Sequence, residues 1–387
     1  MKIGIVTHWM AEDNYGGMLQ SYALQRYLRN QGHDAFLIRF FINNSSNKSI
    51  TVRIKTLLKE LLIYFNLFPN AQEIKKERFN YKEWIKLRNF DDFRSNHIAL
   101  SSNVYFSLKE IQKNPPIADM YITGSDQVWA GDLNNPNIWI FYLAFGSQKV
   151  KRISYAASFG FSFFPGKNID KFKELLGTFD MISVREKSGV EICKKNGFNA
   201  ARCIDSTFLL NREAYISLMA PQKHQGHYAY FYTVNVSSPE EIYWSDIQGE
   251  LCKKGVSSVV TTGRGYSQAK EIFNDAYYDY ASVEEWLSNI YYSDVVFTAS
   301  FHGIAFSLIL QKDFIYLPLK GRAGGGNNRV LDLLESANLS NRIAYTSGDA
   351  ITLLEEKIDY TQLDRSLLIN LIDDSKKYID SALQLNK

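Results

Sequence analysis

Short runs of apolar, β-branched and aromatic residues recur along the chain. Between them lie longer stretches whose apolar residues fall three or four apart. Residues 2–7 predict a strand, and the loop Asp13-Asn14-Tyr15-Gly16-Gly17 follows. Leu19, Tyr22, Ala23, Tyr27 and Leu28 then keep helical spacing until Asn30-Gln31-Gly32 stops them, and residues 35–40 predict a second strand. Strand, glycine loop, helix, strand opens a Rossmann-like unit. The loop lacks the G-x-G-x-x-G spacing of a dinucleotide site, so Gly16 and Gly17 serve either a tight turn or close backbone approach to a ligand.

The pattern resumes with strands at 120–123, 152–157 and 179–184 and a short strand and turn over 202–207, then with strands again at 228–234, 256–261, 295–297 and 314–317, with helices over 189–196, 242–254, 282–292 and 304–310. Residues 43–115 interrupt it. There an amphipathic helix over 49–68 carries Arg53, Lys55 and Lys59 beside Leu57, Leu58, Leu61, Leu62, Ile63, Phe65 and Leu67, and a charged helix follows over 72–93. The expectation is an α/β protein of two Rossmann-like domains facing across a cleft: 1–210 with a helical insertion over about 43–115, 211–355, and a C-terminal helical segment, 356–387. The polar stretch 211–226 with Pro221 sets the boundary.

The chain has 387 residues, 45% of them hydrophobic, enough for substantial cores; its net charge of +3 is too small to argue for nucleic acid. Cys193, Cys203 and Cys252 lack metal spacing and read as reduced structural thiols. No window reaches the roughly 20 apolar residues of a membrane span, and the opening apolar run is too short for a signal peptide. The expected location is cytoplasmic. The basic helix over 49–68 more readily packs on its own domain than on a membrane, yet it leaves open peripheral contact with the inner membrane face or a homo-oligomer interface.

Candidate chemistry falls at strand ends, where open α/β sheets bind ligands. His302 lies between the strand 295–297 and the next helix, where free N–H groups suit an anion and an imidazole can move a proton near neutral pH. Taken alone, His302 is more often a hydrogen-bonded core histidine. Gly124-Ser125-Asp126-Gln127-Val128-Trp129 places polar and aromatic residues after another strand, suited to a hydroxylated ligand or simply to a capped turn. Arg185 ends a strand, where it can meet an anion or pair with Glu186. No His/Asp/Glu cluster has metal spacing, so no metal or cofactor is expected.

Seven motifs, in this order, resemble the polysaccharide pyruvyl transferase family over most of the chain: Asn14-Tyr15-Gly16-Gly17-Met18-Leu19-Gln20 with Tyr22-Ala23-Leu24, Ile122 to Trp129, Ser154-Tyr155-Ala156-Ala157-Ser158-Phe159-Gly160, Ile182-Ser183-Val184-Arg185-Glu186, Asp205 to Leu210, Ser300-Phe301-His302-Gly303, and Asn328-Arg329. Each is weak alone; their order and spacing together are specific. The resemblance implies a GT-B-like pair of domains and transfer of a pyruvyl group from phosphoenolpyruvate onto two sugar hydroxyls, giving a cyclic ketal. The family's histidine motif is often Arg-Leu-His-Gly. His302 matches its histidine, Arg185 matches the family's arginine after the central strand, and Ser300 stands where the motif's arginine would be.

The expected site therefore has His302 as the catalytic acid–base group. Arg185, Ser300, Phe301, Gly303, Arg329, Lys320 and Arg264 are expected on the donor side. Asn14, Gly16, Gly17, Gln20, Ser125, Asp126, Gln127 and Trp129 are expected on the acceptor side, with Trp129 stacking on a sugar, which is free or lipid-linked. Two rivals remain open. One is a glycosyltransferase with a nucleotide-sugar donor, using Glu284 or Glu285 on the ribose; the other is a glycan-binding subunit without catalysis.

Overall fold

The computed structural model describes residues 1–41, 50–162, 168–263 and 272–385. Within them lie two five-stranded parallel sheets. The first contains β1 (Lys2–Val6), β2 (Asp34–Phe40), β3 (Leu100–Tyr105), β4 (Met120–Thr123) and β5 (Lys151–Ser154) in the order β3-β2-β1-β4-β5. A short ladder of β6 (Ser183–Val184) and β7 (Ala201–Arg202) joins its edge through bridges from Ile153 to Met181 and from Ala157 to Val184. The second contains β8 (Tyr228–Thr233), β9 (Ser257–Thr262), β10 (Tyr277–Tyr278), β11 (Val295–Thr298) and β12 (Phe314–Tyr316) in the order β10-β9-β8-β11-β12. Central strands such as Tyr-Ala-Tyr-Phe-Tyr-Thr in β8 are buried at every position, which is why they read as unbroken apolar runs.

The two sheets share one winding order. In each, the first strand lies between the second and the fourth, so the winding reverses between β1 and β4 and again between β8 and β11. Ligand crevices open at the carboxyl ends of strands at such reversals. A single buried apolar cluster continues from one half to the other. At its centre Tyr15, in the helix Tyr15–Asn30, stacks on Trp286 with centroids 5.3 Å apart, and its hydroxyl donates to the Ala281 carbonyl at 2.6 Å. The last helix, Ser366–Leu383, returns to the first half: the Tyr378 hydroxyl donates to the Ser154 carbonyl at 2.9 Å, and Ser375 Oγ accepts from the Ile204 amide at 2.8 Å.

Two expectations change. The segment 43–115 is not wholly an insertion, because it supplies β3, paired with β2 at the sheet edge. The single helix expected over 72–93 is broken at Asn89, whose left-handed backbone (φ 53°) separates Ala71–Arg88 from Phe90–His97.

Candidate functional site

Loops from both winding reversals meet in one crevice of about 290 Å³. Asp13, Asn14, Asp126 and Gln127 line it from the first half; Tyr232, Asn235, Gly263, Ser300, His302 and Arg329 are among those that line it from the second. The same four first-half residues wall a second chamber of about 400 Å³, completed by His8, Met10, Ala11 and Glu12. One chamber thus bridges the halves, and the other belongs to the first half alone. A larger recess of about 930 Å³, lined by Trp84, Asp275, Tyr277, Tyr278 and Tyr280 among others, lies beside β10 and has no histidine or arginine in its described lining.

Beneath the bridging chamber is a buried charge network. Asp205 Oδ2 accepts from Arg185 Nη1 and from Ser125 Oγ, both at 2.7 Å; Oδ1 accepts from the Thr207 amide at 3.1 Å and Thr207 Oγ1 at 2.9 Å. Burial alone would raise the Asp205 carboxyl, but His302, Arg185 and Ser125 outweigh it and hold the group far below the usual carboxylate range. Arg185 Nε also reaches Glu186 Oε1 at 3.3 Å, and its guanidinium lies 4.6 Å from the Phe301 ring centre. Burial works against its charge, and the carboxylates of Glu186, Asp205 and Asp126 more than restore it. The remaining nitrogen, Nη2, is buried without a hydrogen-bond partner among the described residues.

From the second half, the helix Phe301–Leu310 places His302 in its first turn, so the helix begins three residues earlier than the spacing predicts. His302 Nε2 lies 3.7 Å from Asp205 Oδ2, too far for a hydrogen bond, and it too is buried without a partner among the described residues. The ring rests on Gly16: a Cβ there would come within 2.0 Å of Nδ1, so only glycine admits the imidazole at this position. Arg329 completes the set. With the Gln127 amide oxygen turned toward it, Nη1 and Nη2 donate at 2.7 and 2.6 Å, while Nε is buried and unpartnered. Burial and nearby Arg185 both disfavour the Arg329 charge and lower its pKa.

Two carboxylates differ in environment. Asp126 has φ 85°, a left-handed backbone held by amides of Val128 and Ser158 donating to its carbonyl. Burial would raise its carboxyl, but His8, Arg185 and His302 pull it below the ordinary value. Asp13 is raised by burial, only partly offset by Arg88 and by the Tyr81 hydroxyl donating at 3.1 Å. Among the described residues no cluster of three or more His, Cys, Asp or Glu side chains is arranged to hold a metal.

The crevice brings together His302, Ser300, Phe301, Arg329, Asn14, Asp126 and Gln127, with Arg185 and Gly16 directly behind. Other expected positions are placed elsewhere. Trp129 is 1% exposed; its Nε1 donates to the Phe141 carbonyl and its ring stacks on Tyr142, so it presents no face to a sugar. Gln20 is wholly buried, donating to Thr7 Oγ1, the Gly17 carbonyl and Ser21 Oγ. Ser125 is spent on Asp205. Gly17 is buried against Asn14, whose Oδ1 caps the helix by accepting from the Gly17 amide. Gly303 faces Thr298, not the donor side. Lys320 is exposed, with Nζ 4.1 Å from the Tyr243 ring centre. Arg264 lies outside the described residues. Glu284 and Glu285 bond to Ser282 at the start of the helix Val283–Tyr292, away from the crevice. Sequence reasoning did not single out Asp13, His8, Glu186 or Asp205 as site residues. Asp205 stood within a quoted motif, but nothing local signalled a buried partner for Arg185.

Solved structures with this architecture include UDP-N-acetylglucosamine 2-epimerases. The Neisseria meningitidis enzyme, solved with UDP-GlcNAc, has TM-score 0.52 and 10% identity and covers 100% of each chain. A Listeria monocytogenes protein assigned to that activity has TM-score 0.54 and 9% identity, covering 100% of this chain and 97% of its own. At these identities the likeness defines the fold: this is a GT-B-type α/β protein with its crevice between two Rossmann-like halves. The family follows from the sequence. Residues 14–320, 307 of 387, match the polysaccharide pyruvyl transferase model, and the chain belongs to that family. No curated protein matches it.

Proposed function

We propose that the chain transfers the pyruvyl group of phosphoenolpyruvate onto two hydroxyls of a sugar in a polysaccharide or lipid-linked precursor, forming a cyclic ketal and releasing phosphate. The observation that carries this reading is a set of three buried nitrogens at and behind the crevice that have no hydrogen-bond partner among the described residues: Arg185 Nη2, Arg329 Nε and His302 Nε2. Such donors are costly to leave unpaired and suit a small polyanion bearing carboxylate and phosphate. Arg329 and the helix N-terminus beside Ser300 offer cationic and N–H contacts on the second-half side, although Ser300 replaces the family's arginine.

In this reading His302 Nε2 protonates the donor's methylene carbon, leaving an oxocarbenium-like carbon. One sugar hydroxyl adds there and loses its proton. The C–O bond to phosphate then breaks, and the second hydroxyl adds and loses its proton. Of the two protons released, one restores His302 and one leaves with phosphate. Asp13, raised by burial, suits proton acceptance from the hydroxyls, whereas Asp126 stays ionised and stabilises positive charge. The sugar occupies the first-half chamber. The nucleotide-sugar alternative is weakened because Glu284 and Glu285 are committed to a helix start.

Phosphate release from phosphoenolpyruvate, assayed over a panel of synthetic and lipid-linked glycosides beside His302→Ala, tests the reading. Acceptor-dependent release that the variant loses is expected. Transfer from a nucleotide sugar instead, with phosphoenolpyruvate inert and unbound, would overturn it.

A further inference from the structure

The helical hairpin formed by Ile50–Tyr64 and Ala71–Arg88 carries an apolar face that nothing among the described residues covers. Leu57, Leu58, Leu61, Leu62, Phe65 and Leu67 are 40–71% exposed, while Ile63, on the opposite side, is 2% exposed and anchors the hairpin. At 100° per residue, Leu57, Leu58, Leu61, Leu62 and Phe65 fall within an arc of about 140°. Lys55 and Lys59, both exposed, flank that arc, the Lys59 ammonium lying 5.1 Å from the Phe68 ring centre. Scattered exposed leucines are ordinary; a contiguous set on one face is not.

Charge says what the face meets. Residues 50–88 contain nine Lys and Arg against four Glu, a net +5, whereas the whole chain carries +3. The rest of the molecule is therefore net negative, and the excess positive charge is concentrated beside the exposed apolar face. A second copy would bring like charge against like charge, whereas an anionic surface complements it. The hairpin is braced: Glu60 accepts from Arg78 Nη1 and Nη2 at 2.7 and 3.0 Å, and Lys75 Nζ donates to the Tyr64 carbonyl at 2.6 Å and to Asn66 Oδ1 at 2.9 Å. It is also tied to the crevice through Tyr81 on Asp13, and to β10 of the second half through Arg88 Nη2 donating to the Tyr278 hydroxyl at 2.9 Å.

We propose that this hairpin docks the protein on the surface of an anionic phospholipid bilayer, the apolar face entering the headgroup–acyl boundary and the lysines meeting anionic headgroups. Among the described residues no helix is long and apolar enough to cross a membrane, so the attachment is peripheral. Docking sets Asp13 and the first-half chamber near the lipid surface, where a lipid-linked sugar enters. That consequence rests on the transferase reading; the docking itself does not.

The test is co-sedimentation of the full chain with mixed phosphatidylglycerol–phosphatidylcholine vesicles and with phosphatidylcholine vesicles alone, at low and high salt. Binding is expected to the anionic vesicles, weakening with salt. Leu58→Glu/Phe65→Glu should lower the partition coefficient more than about tenfold, and Lys55→Ala about fivefold. Leu57→Gln/Leu61→Gln, polar but helix-compatible, serves if the first variant fails to fold, and circular dichroism checks both. Absence of binding at low salt, or binding indifferent to these substitutions, would overturn the proposal. So would a wild-type dimer in sedimentation velocity that Leu58→Glu dissociates while neither protein binds vesicles.

Discussion

The carboxyl ends of the two sheets share a winding order but not a chemistry. The first half brings Asp13 and Asp126 to the crevice and buries Glu186 and Asp205 around Arg185 beneath it. The second half brings His302, Arg329 and a helix N-terminus, and no carboxylate is among its described lining residues. Its buried acid, Asp279, lies elsewhere, held by Lys223 at 2.8 Å, His224 at 3.1 Å and Asn289 at 2.8 Å. One fold laid down twice has thus become an acid-rich wall facing a cationic one. In the proposed reaction the cationic wall meets the anionic donor, and the acidic wall accepts protons from hydroxyls.

The sharpest break in this contrast is His302→Ala, expected to lower turnover on the order of 10²–10⁴-fold; activity within about threefold of wild type would remove His302 from the chemistry. Next comes Arg329→Ala. Losing a charge-assisted contact costs about 1.5–3 kcal/mol, so the KM for phosphoenolpyruvate should rise roughly 10–150-fold, with kcat affected less. Asp13→Asn should lower kcat about 10–100-fold and abolish an acidic limb of the pH–rate profile lying above the ordinary carboxylate range, because burial raises this group.

Asp279 tests, through stability, the placing of the second half's buried acid away from the crevice. Burial would raise it, but His224, Lys223 and Asn289 hold it down at about 2 in the folded chain. Its stabilisation is therefore present above the unfolded carboxylate value of about 4 and lost as pH falls toward 2. Asp279→Asn should remove about 2 kcal/mol of it, read as a flatter acid-denaturation curve between those pH values. The smallest effect is expected at Trp129→Phe. The acceptor KM should stay within about twofold, with any loss appearing in melting temperature, since the indole is buried.

Much of this contrast could be read along the chain, because strand ends in a doubly wound sheet are ligand positions whatever the residue. That logic reached His302, Asp126 and Gln127, whereas Arg329 came from the motif Asn328-Arg329 at the start of a helix. It failed at Trp129 and Ser125 because proximity to a strand end does not say which way a side chain turns, and the motif that brought in Gln20 does not say so either. The Phe141 carbonyl, the Thr7 hydroxyl and the Asp205 carboxylate claimed these three from within. Asp205 escaped notice for the converse reason: its partners Ser125 and Arg185 lie 80 and 20 positions away and meet it only when the first half folds, and His302, 97 positions away, comes near only when the halves close. β3 was hidden by Ser101-Ser102-Asn103, which an edge strand tolerates and apolar alternation does not mark.

The most direct test of the central claim is calorimetric titration of phosphoenolpyruvate into the wild-type protein and into Arg329→Ala. Binding to wild type, weakened at least about tenfold by the substitution, is predicted from the unpartnered cationic nitrogens. No heat with phosphoenolpyruvate, alongside saturable binding of a nucleotide sugar that Arg329→Ala leaves unchanged, would contradict the account.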